Sequence, residues 1–276
     1  MDYLKINKES WNSRVDTHYN SEFYDNKKFI DGKSSLNDIE LKLFPNLEGK
    51  TVLHLQCHFG QDSISLSRMG AKVTGVDLSD ESISKAKELA SITGSDSEFI
   101  CCNVYDLPNH LDGKFDIVFS SYGAICWLPD LNKWAEIVSR FLKEDGKFIF
   151  AEFHPVVDMV DENSSNLGSS YFNIGPINEK IEGTYTDGKN TDKRQFVTWN
   201  HGIGEVVNNL INNGLEINSL KEFDYSPYNA FQSTFEDEAN KYRIKHFGNN
   251  VPMVYSILAT KNKTKANKKQ TTFPPA

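Results

Sequence analysis

The chain has 276 residues, 38% of them hydrophobic and 12% aromatic, which is enough for one sizeable core plus an insertion or cap. A formal net charge of −8, with no stripe of basic residues, argues against a nucleic-acid partner. No apolar run is long enough to span a bilayer, and Met1-Asp2-Tyr3-Leu4-Lys5 runs straight into polar sequence, so the expectation is no membrane anchor, no signal peptide and a cytoplasmic location.

Residues 1–48 form a polar leader that is rich in aromatics: Trp11, His18, Tyr19, Phe23 and Tyr24. These side chains either pack the leader onto the domain or close over a site as a lid. Leu36, Ile39, Leu41, Leu43 and Phe44 predict a helix that ends before Pro45. Thr51 to Leu55 reads as a strand, with Gly60 in the turn behind it. Ile64, Leu66 and Met69 then recur at helical spacing, with Gly70 as the stop, and Val73, Thr74 and Val76 form a second strand ending on Asp77.

A strand–turn–helix–strand unit of this length is a parallel crossover, and a parallel sheet holds its ligand at the carboxyl ends of its strands. The first turn opens a helix, so free N–H groups and the positive dipole end face the crevice. Asp77, one strand over, is placed to accept both hydroxyls of a ribose, and the unit therefore predicts a nucleoside-containing cofactor. A dinucleotide fingerprint reads G-x-G-x-x-G because a pyrophosphate must lie on a bare turn. Here the turn is Gln56-Cys57-His58-Phe59-Gly60, with one glycine. That suits a ligand presenting only a small carboxylate and ammonium, as S-adenosylmethionine does.

Downstream, Asp80 is expected to cap a helix from Glu81 to Thr93, stopped by Gly94. Phe99–Cys102 predicts a third strand, with Asn103 and Val104 just after it. Phe115–Ser121 predicts a fourth, whose near-continuous apolar run implies burial on both faces. Tyr122 to Leu128 follows at the crevice end, then a helix over Leu131–Leu142. Glu144-Asp145-Gly146 turns into a fifth strand, Lys147–Phe153, which delivers Glu152 and His154 to the ligand face. A base there would serve an acceptor that must lose a proton.

Residues 157–200 read as an antiparallel insertion capping the substrate. Its strands are expected at Tyr171–Ile174, Lys180–Thr186 and Arg194–Trp199, with a loop at Asp161–Ser165 and a turn at Asp187-Gly188. Trp199 and His201 close it. A metal site of His18, His154 and His201 has no supporting spacing, and neither have Cys57, Cys101, Cys102 and Cys126, which read as reduced thiols; no metal is expected. A helix over Gly204–Asn213, a strand at Leu215–Phe223, a mostly looped stretch from Tyr225 to His246 and a strand at Pro252–Thr260 predict a reversed hairpin ending the sheet. Residues 49–260 thus form the main domain, and 261–276 read as a disordered tail.

His54-Leu55-Gln56-Cys57-His58-Phe59-Gly60-Gln61-Asp62, followed by Gly75-Val76-Asp77-Leu78-Ser79, resembles the first two motifs of class I S-adenosylmethionine-dependent methyltransferases, and more narrowly a bacterial small-molecule branch with an HLQCHFG-type loop. The common pattern is acid-x-G-x-G-x-G; Gln56 stands in place of the acid, and Cys57 and Phe59 stand where glycines are usual. The resemblance implies a doubly wound, Rossmann-like α/β fold with a seven-stranded sheet and an antiparallel last strand. It implies S-adenosyl-L-methionine as cofactor and a small-molecule methyl acceptor, in a monomer or homodimer.

The cofactor residues it implies are Gln56, Cys57, His58, Gly60 and Gln61 in the loop, Asp77, Leu78 and Ser79 for the ribose, Asn103 and Val104 for the adenine, and Ser120, Ser121 and Tyr122 beside the methionine. Trp11, His18, Tyr24, Trp127 and Trp199 would contact the acceptor, and His154, Glu152 and His201 are the candidate catalytic residues. A non-catalytic S-adenosylmethionine-binding protein remains an alternative. An NAD(P)-dependent oxidoreductase is disfavoured by the single-glycine turn.

Overall fold

The computed structural model describes residues 2–160, 168–186, 193–231 and 233–262. The expected loop at Asp161–Ser165, the turn at Asp187-Gly188 and the tail beyond Asn262 lie outside the described residues.

A seven-stranded sheet organises the chain. Four strands, β1 (Thr51–Leu55), β2 (Lys72–Asp77), β3 (Glu98–Cys101) and β4 (Phe115–Ser121), run parallel beside β5 (Leu142–Phe153) in the order β3-β2-β1-β4-β5. Four hairpin strands come later in the chain: β6 (Ile177–Glu182), β7 (Lys193–Thr198), β9 (Thr234–Glu238) and β10 (Lys241–Ile244). The sheet is completed by β8 (Leu215–Phe223) and β11 (Val254–Lys261), with β11 inserted between β5 and β8 and antiparallel to both. This is the class I methyltransferase arrangement, and the reversed final hairpin expected from the sequence forms it.

Alternation along the strands sets the two layers. Leu53, Leu55, Val118, Phe148 and Phe150 face one side, against the helices α7 (Leu131–Phe141) and α8 (Ile203–Asn212). Val52, Val73, Ile117, Phe119 and Ile149 face the other side, against leader residues Leu36 and Leu47 and Leu66 of α5 (Gln61–Arg68). The helix α6 (Asp80–Thr93) ends at Gly94 in the left-handed conformation. Its cap is Ser79, whose Oγ accepts from Ser82 N at 3.0 Å. Asp80 lies one residue inside and pairs with Lys8 at 3.0 Å.

The leader holds three short helices, α1 (Tyr3–Asn12), α2 (Val15–Tyr19) and α3 (Asn26–Ile30). The helix expected over 36–44 shrinks to one turn, α4 (Asp38–Leu41), closed by a capping box between Asn37 and Glu40. Its apolar residues part company there: Ile39 packs with Met253 and Val254, while Leu41, Leu43 and Phe44 pack toward Val52 and Phe119. The apparent helical spacing was an irregular segment crossing the sheet.

Other departures have similar causes. Tyr171–Ile174 is not a strand, because β6 and β7 pair only with each other and leave Phe172 71% exposed. The Tyr225–His246 stretch, expected as mostly loop, also holds a hairpin: β9 and β10 pair antiparallel, with Asn240 at φ +58° between them. Arg243 stiffens this hairpin by binding Asp224 and Asp237. β5 starts at Leu142, which pairs with Phe115 before the chain bulges through Asp145 at φ +60°. Lys261 and Asn262 belong to the sheet end, where Asn262 N donates to Gly214 O at 3.0 Å. Among the described residues, no helix is long and apolar enough to cross a membrane.

Leader and insertion meet as one cover. Asn7 on α1 bonds the backbone of β7 through both its amide atoms, to Val197 O and from Val197 N, each at 2.8 Å. A side-chain amide thus supplies the pairing that the edge strand would otherwise leave open.

Candidate functional site

The carboxyl ends of β1, β2, β3 and β4 open onto a cavity of about 1190 Å³. That exceeds the roughly 300–1,000 Å³ typical of a single-ligand pocket.

Its floor is the turn after β1. Gln56, His58 and Gly60 all have positive φ, at +57°, +51° and +80°. Two non-glycine residues in that region are costly, and the turn is held by specific bonds. Gln56 Nε2 donates to Ala124 O at 2.6 Å, and His58 N donates to Asp77 Oδ2 at 2.8 Å. At Gly60, which opens α5, a Cβ would lie 2.7 Å from the Phe99 ring, so only glycine fits without displacing that core residue. Cys57 turns its thiol against Gly75, and burial pushes its pKa well up. Gln61 Nε2 donates to Tyr24 O and Asn26 Oδ1, tying the leader to α5.

Asp77 stands at the end of β2 on the cavity wall, beside Leu78, Asn103 and Val104. Its second oxygen accepts from Ser79 N at 2.9 Å. Burial raises its pKa, against the pull of these backbone donors. Asn103 Oδ1 accepts from Tyr105 N at 3.2 Å, so this side chain shapes the turn that presents Val104.

Beyond β4, Ser121 Oγ donates to Asp62 Oδ2 at 3.1 Å, and Tyr122 OH donates to Glu40 Oε2 at 2.6 Å. Tyr228 closes the same end by accepting from Asn37 Nδ2 at 2.7 Å. Burial, with the Asp62 charge nearby, pushes the Glu40 carboxyl up to about 7 from 4.5. A carboxyl whose pKa is higher folded than unfolded stabilises the fold while protonated, and that contribution is lost as pH rises through the folded value. Glu40→Gln is therefore expected to melt progressively higher relative to the parent protein between pH 4.5 and 7.5. Parallel melting curves for the two proteins at both pH values check this; a pH-independent difference would mean Glu40 titrates as it does unfolded.

The roof is aromatic. Trp11 lies edge-on to His58 and Trp127, with centroids at 5.2 and 5.1 Å, and Tyr24 stacks on His58 at 5.5 Å. His18 stacks on His58 from behind at 5.4 Å and is itself buried off the cavity wall. Burial lowers His58 to about 3 and His18 to about 2, so both rings are neutral at ordinary pH. His58 Nδ1 accepts from Phe59 N, which leaves its proton on Nε2, facing His18 Nδ1 at 3.2 Å. His18 Nε2 then donates to Thr184 Oγ1 at 2.6 Å, and Tyr24 OH meets Tyr185 OH at 2.6 Å, so the insertion is latched onto the leader.

Several residues expected at the site do not line this cavity. Glu152 reaches the crevice end of β5, yet its carboxylate accepts from the backbone N–H groups of Gly123, Ala124 (2.8 Å), Ile125 (3.2 Å) and Phe153 (2.7 Å). It clamps the segment after β4 and has no lone pair directed at a substrate. His154 Nε2 pairs with Glu222 Oε1 at 2.9 Å, and its Nδ1 accepts from Val156 N, so it belongs to the β8 side of the sheet. His201 Nε2 donates to Leu128 O at 2.8 Å, and Glu205 lies 3.1 Å from its Nδ1. Trp199 packs edge-on to Tyr3 at 5.2 Å. Ser79 is the buried cap of α6, and Ser120 is buried inside β4. Arg14, Asp62, Tyr185 and Tyr228 also line the cavity, though the sequence pattern assigns them no role. Asp62 lies inside the first motif, but nothing in its spacing says which side chains turn inward.

Residues 53–150 match the family model described as a methyltransferase domain. An uncharacterized protein from Haemophilus influenzae is 24% identical over 83% of this chain and 94% of its own length. A ubiquinone biosynthesis O-methyltransferase from Pseudoalteromonas translucida is 25% identical over 77% of this chain and 84% of its own. Among solved structures, an S-adenosylmethionine-dependent methyltransferase from Mesorhizobium loti aligns with a TM-score of 0.56 at 20% identity, over 84% of this chain and all of its own. The fold is that of class I methyltransferases, and the matched domain implies S-adenosylmethionine as cofactor.

Proposed function

We propose that this protein transfers the sulfonium methyl group of S-adenosylmethionine to a small-molecule acceptor. The observation that carries the reading is Asp77: a half-buried carboxylate at the end of β2, on the wall of a cavity floored by a turn that has a single glycine, Gly60. In this reading Asp77 holds the ribose hydroxyls, Asn103 and the Val104 backbone meet the adenine, and the methionine end runs along Gln56–Gln61 toward Ser121 and Tyr122. Trp11, Tyr24 and Trp127 wall the acceptor, and His18 braces them through His58.

The cofactor brings an activated methyl group, so the protein's work is alignment and exclusion of water. The latched leader and insertion suit that work. With Glu152, His154 and His201 engaged elsewhere, none of them acts as base. A small acceptor is supported by the concave, aromatic-walled cavity and by the net charge of −8, which disfavours a nucleic-acid acceptor.

Calorimetric titration tests the reading. S-adenosylhomocysteine is expected to bind saturably with one site, and NADH not at all; the reverse order would reject it. Binding of S-adenosylmethionine without methyl transfer to any of a broad panel of phenol, amine, thiol and carboxylate acceptors would favour the non-catalytic alternative.

A further inference from the structure

We propose that Arg14 is the seat of a carboxylate on the ligand held in the cavity. Arg14 precedes α2 and lines the cavity, yet it is only 7% exposed. Its guanidinium carbon lies 5.2, 5.8 and 5.3 Å from the ring centroids of Trp11, Trp127 and Phe196. Among the described residues it makes no side-chain hydrogen bond and no ion pair, and its Nε is buried without a partner. The three rings supply attractive faces but no acceptor atoms. Burial disfavours the charged form of Arg14, and the nearby charge of Arg194, which bonds the neighbouring Ser13 at Oγ and O, acts in the same direction.

Arginine cannot escape by losing its proton. A buried cation on a cavity wall without a counter-charge is costly unless an anion enters with the ligand. The planar fork matches a carboxylate by two parallel hydrogen bonds, which selects that group over a point-like anion.

Two carboxylates have this chemistry, and naming them rests on the proposed methyl transfer: that of the cofactor's methionine end and one on the acceptor. Trp127 and Phe196 lie on the segment after β4 and on β7, and Trp11 joins Arg14 to His58 in the turn after β1, so either source can be placed against Arg14.

The test compares each carboxylate with its neutral amide. Binding of S-adenosylhomocysteine and of its carboxamide is measured by calorimetry, and melting of the S-adenosylhomocysteine complex is followed with benzoate or succinate against benzamide or succinamide. Both sets are run on the parent protein, R14Q and R14K. The parent is expected to prefer the carboxylate at least tenfold in one pair, R14Q to lose that preference, and R14K to keep part of it. Discrimination in the calorimetric pair assigns Arg14 to the cofactor; discrimination in the melting pair assigns it to the acceptor. The proposal is overturned if the parent prefers no carboxylate in either pair, or if R14Q prefers it as strongly as the parent. Should R14Q fail to fold, the parent and R14K still decide. If the parent binds no S-adenosylhomocysteine at all, the methyl-transfer reading fails, and the benzoate and succinate pairs on the free protein judge Arg14 alone.

Discussion

Asp77→Ala is expected to weaken S-adenosylhomocysteine binding by about 2–3 kcal/mol, roughly 30- to 150-fold, as charge-assisted hydrogen bonds to the ribose are lost from a buried site. The effect has a second source. Asp77 also accepts from His58 N and Ser79 N, so its removal frees the turn that floors the cavity. Asp77→Asn separates the two. An amide oxygen can retain one backbone donor but withdraws the charge, so this variant should keep most of the fold stability and still bind weakly. Calorimetry with both variants, alongside their melting temperatures, checks the pair. Affinity unchanged in Asp77→Ala would mean the ribose is held elsewhere.

Glu152→Ala is expected to cost about 3–5 kcal/mol of stability, because it strips the acceptor from four backbone N–H groups packed around a buried carboxylate. At roughly 2–4 °C per kcal/mol for a chain of this size class, the fall in melting temperature is well outside error. The segment it clamps, Gly123–Ile125, joins Tyr122 to Trp127, so the folded fraction should also bind acceptor poorly. A catalytic base behaves in the opposite way, with an intact melting curve and lost turnover. Urea unfolding of Glu152→Ala beside the parent distinguishes the two, and equal stability would return Glu152 to the list of candidate bases.

These two carboxylates mark the boundary of what can be read along the chain. Both were visible as acids at strand ends, and their positions at the carboxyl edge followed from strand periodicity alone. Asp77, the last residue of β2, lies on the cavity wall, while Glu152, next to last in β5 and three strands across the sheet, turns into the backbone. Which of these happens depends on the path of Gly123–Ile125, a segment whose conformation is set by its packing and not by its own propensities.

The βαβ unit and the reversed terminal hairpin were legible because each is a local pattern: alternation, helical spacing, a glycine stop, an acid at a strand end. Apart from one helix predicted longer than the single turn that forms, the leader was legible only as aromatic sequence. Its one-turn α4, the Asn7 pairing with Val197 and the latch through His18 and Thr184 join residues as many as 190 positions apart. The β9–β10 hairpin escaped notice because its strands are short and charged, β9 acidic and β10 basic, and its turn has no glycine.

The parallel strands and the acid that ends β2 thus follow from short-range chemistry that a short window of the chain displays. The pairing of Arg14 with three rings and no anion, and the diversion of Glu152, His154 and His201 from the cavity, arise where distant segments compete for the same buried space. Burial decides there which polar group is left facing a ligand.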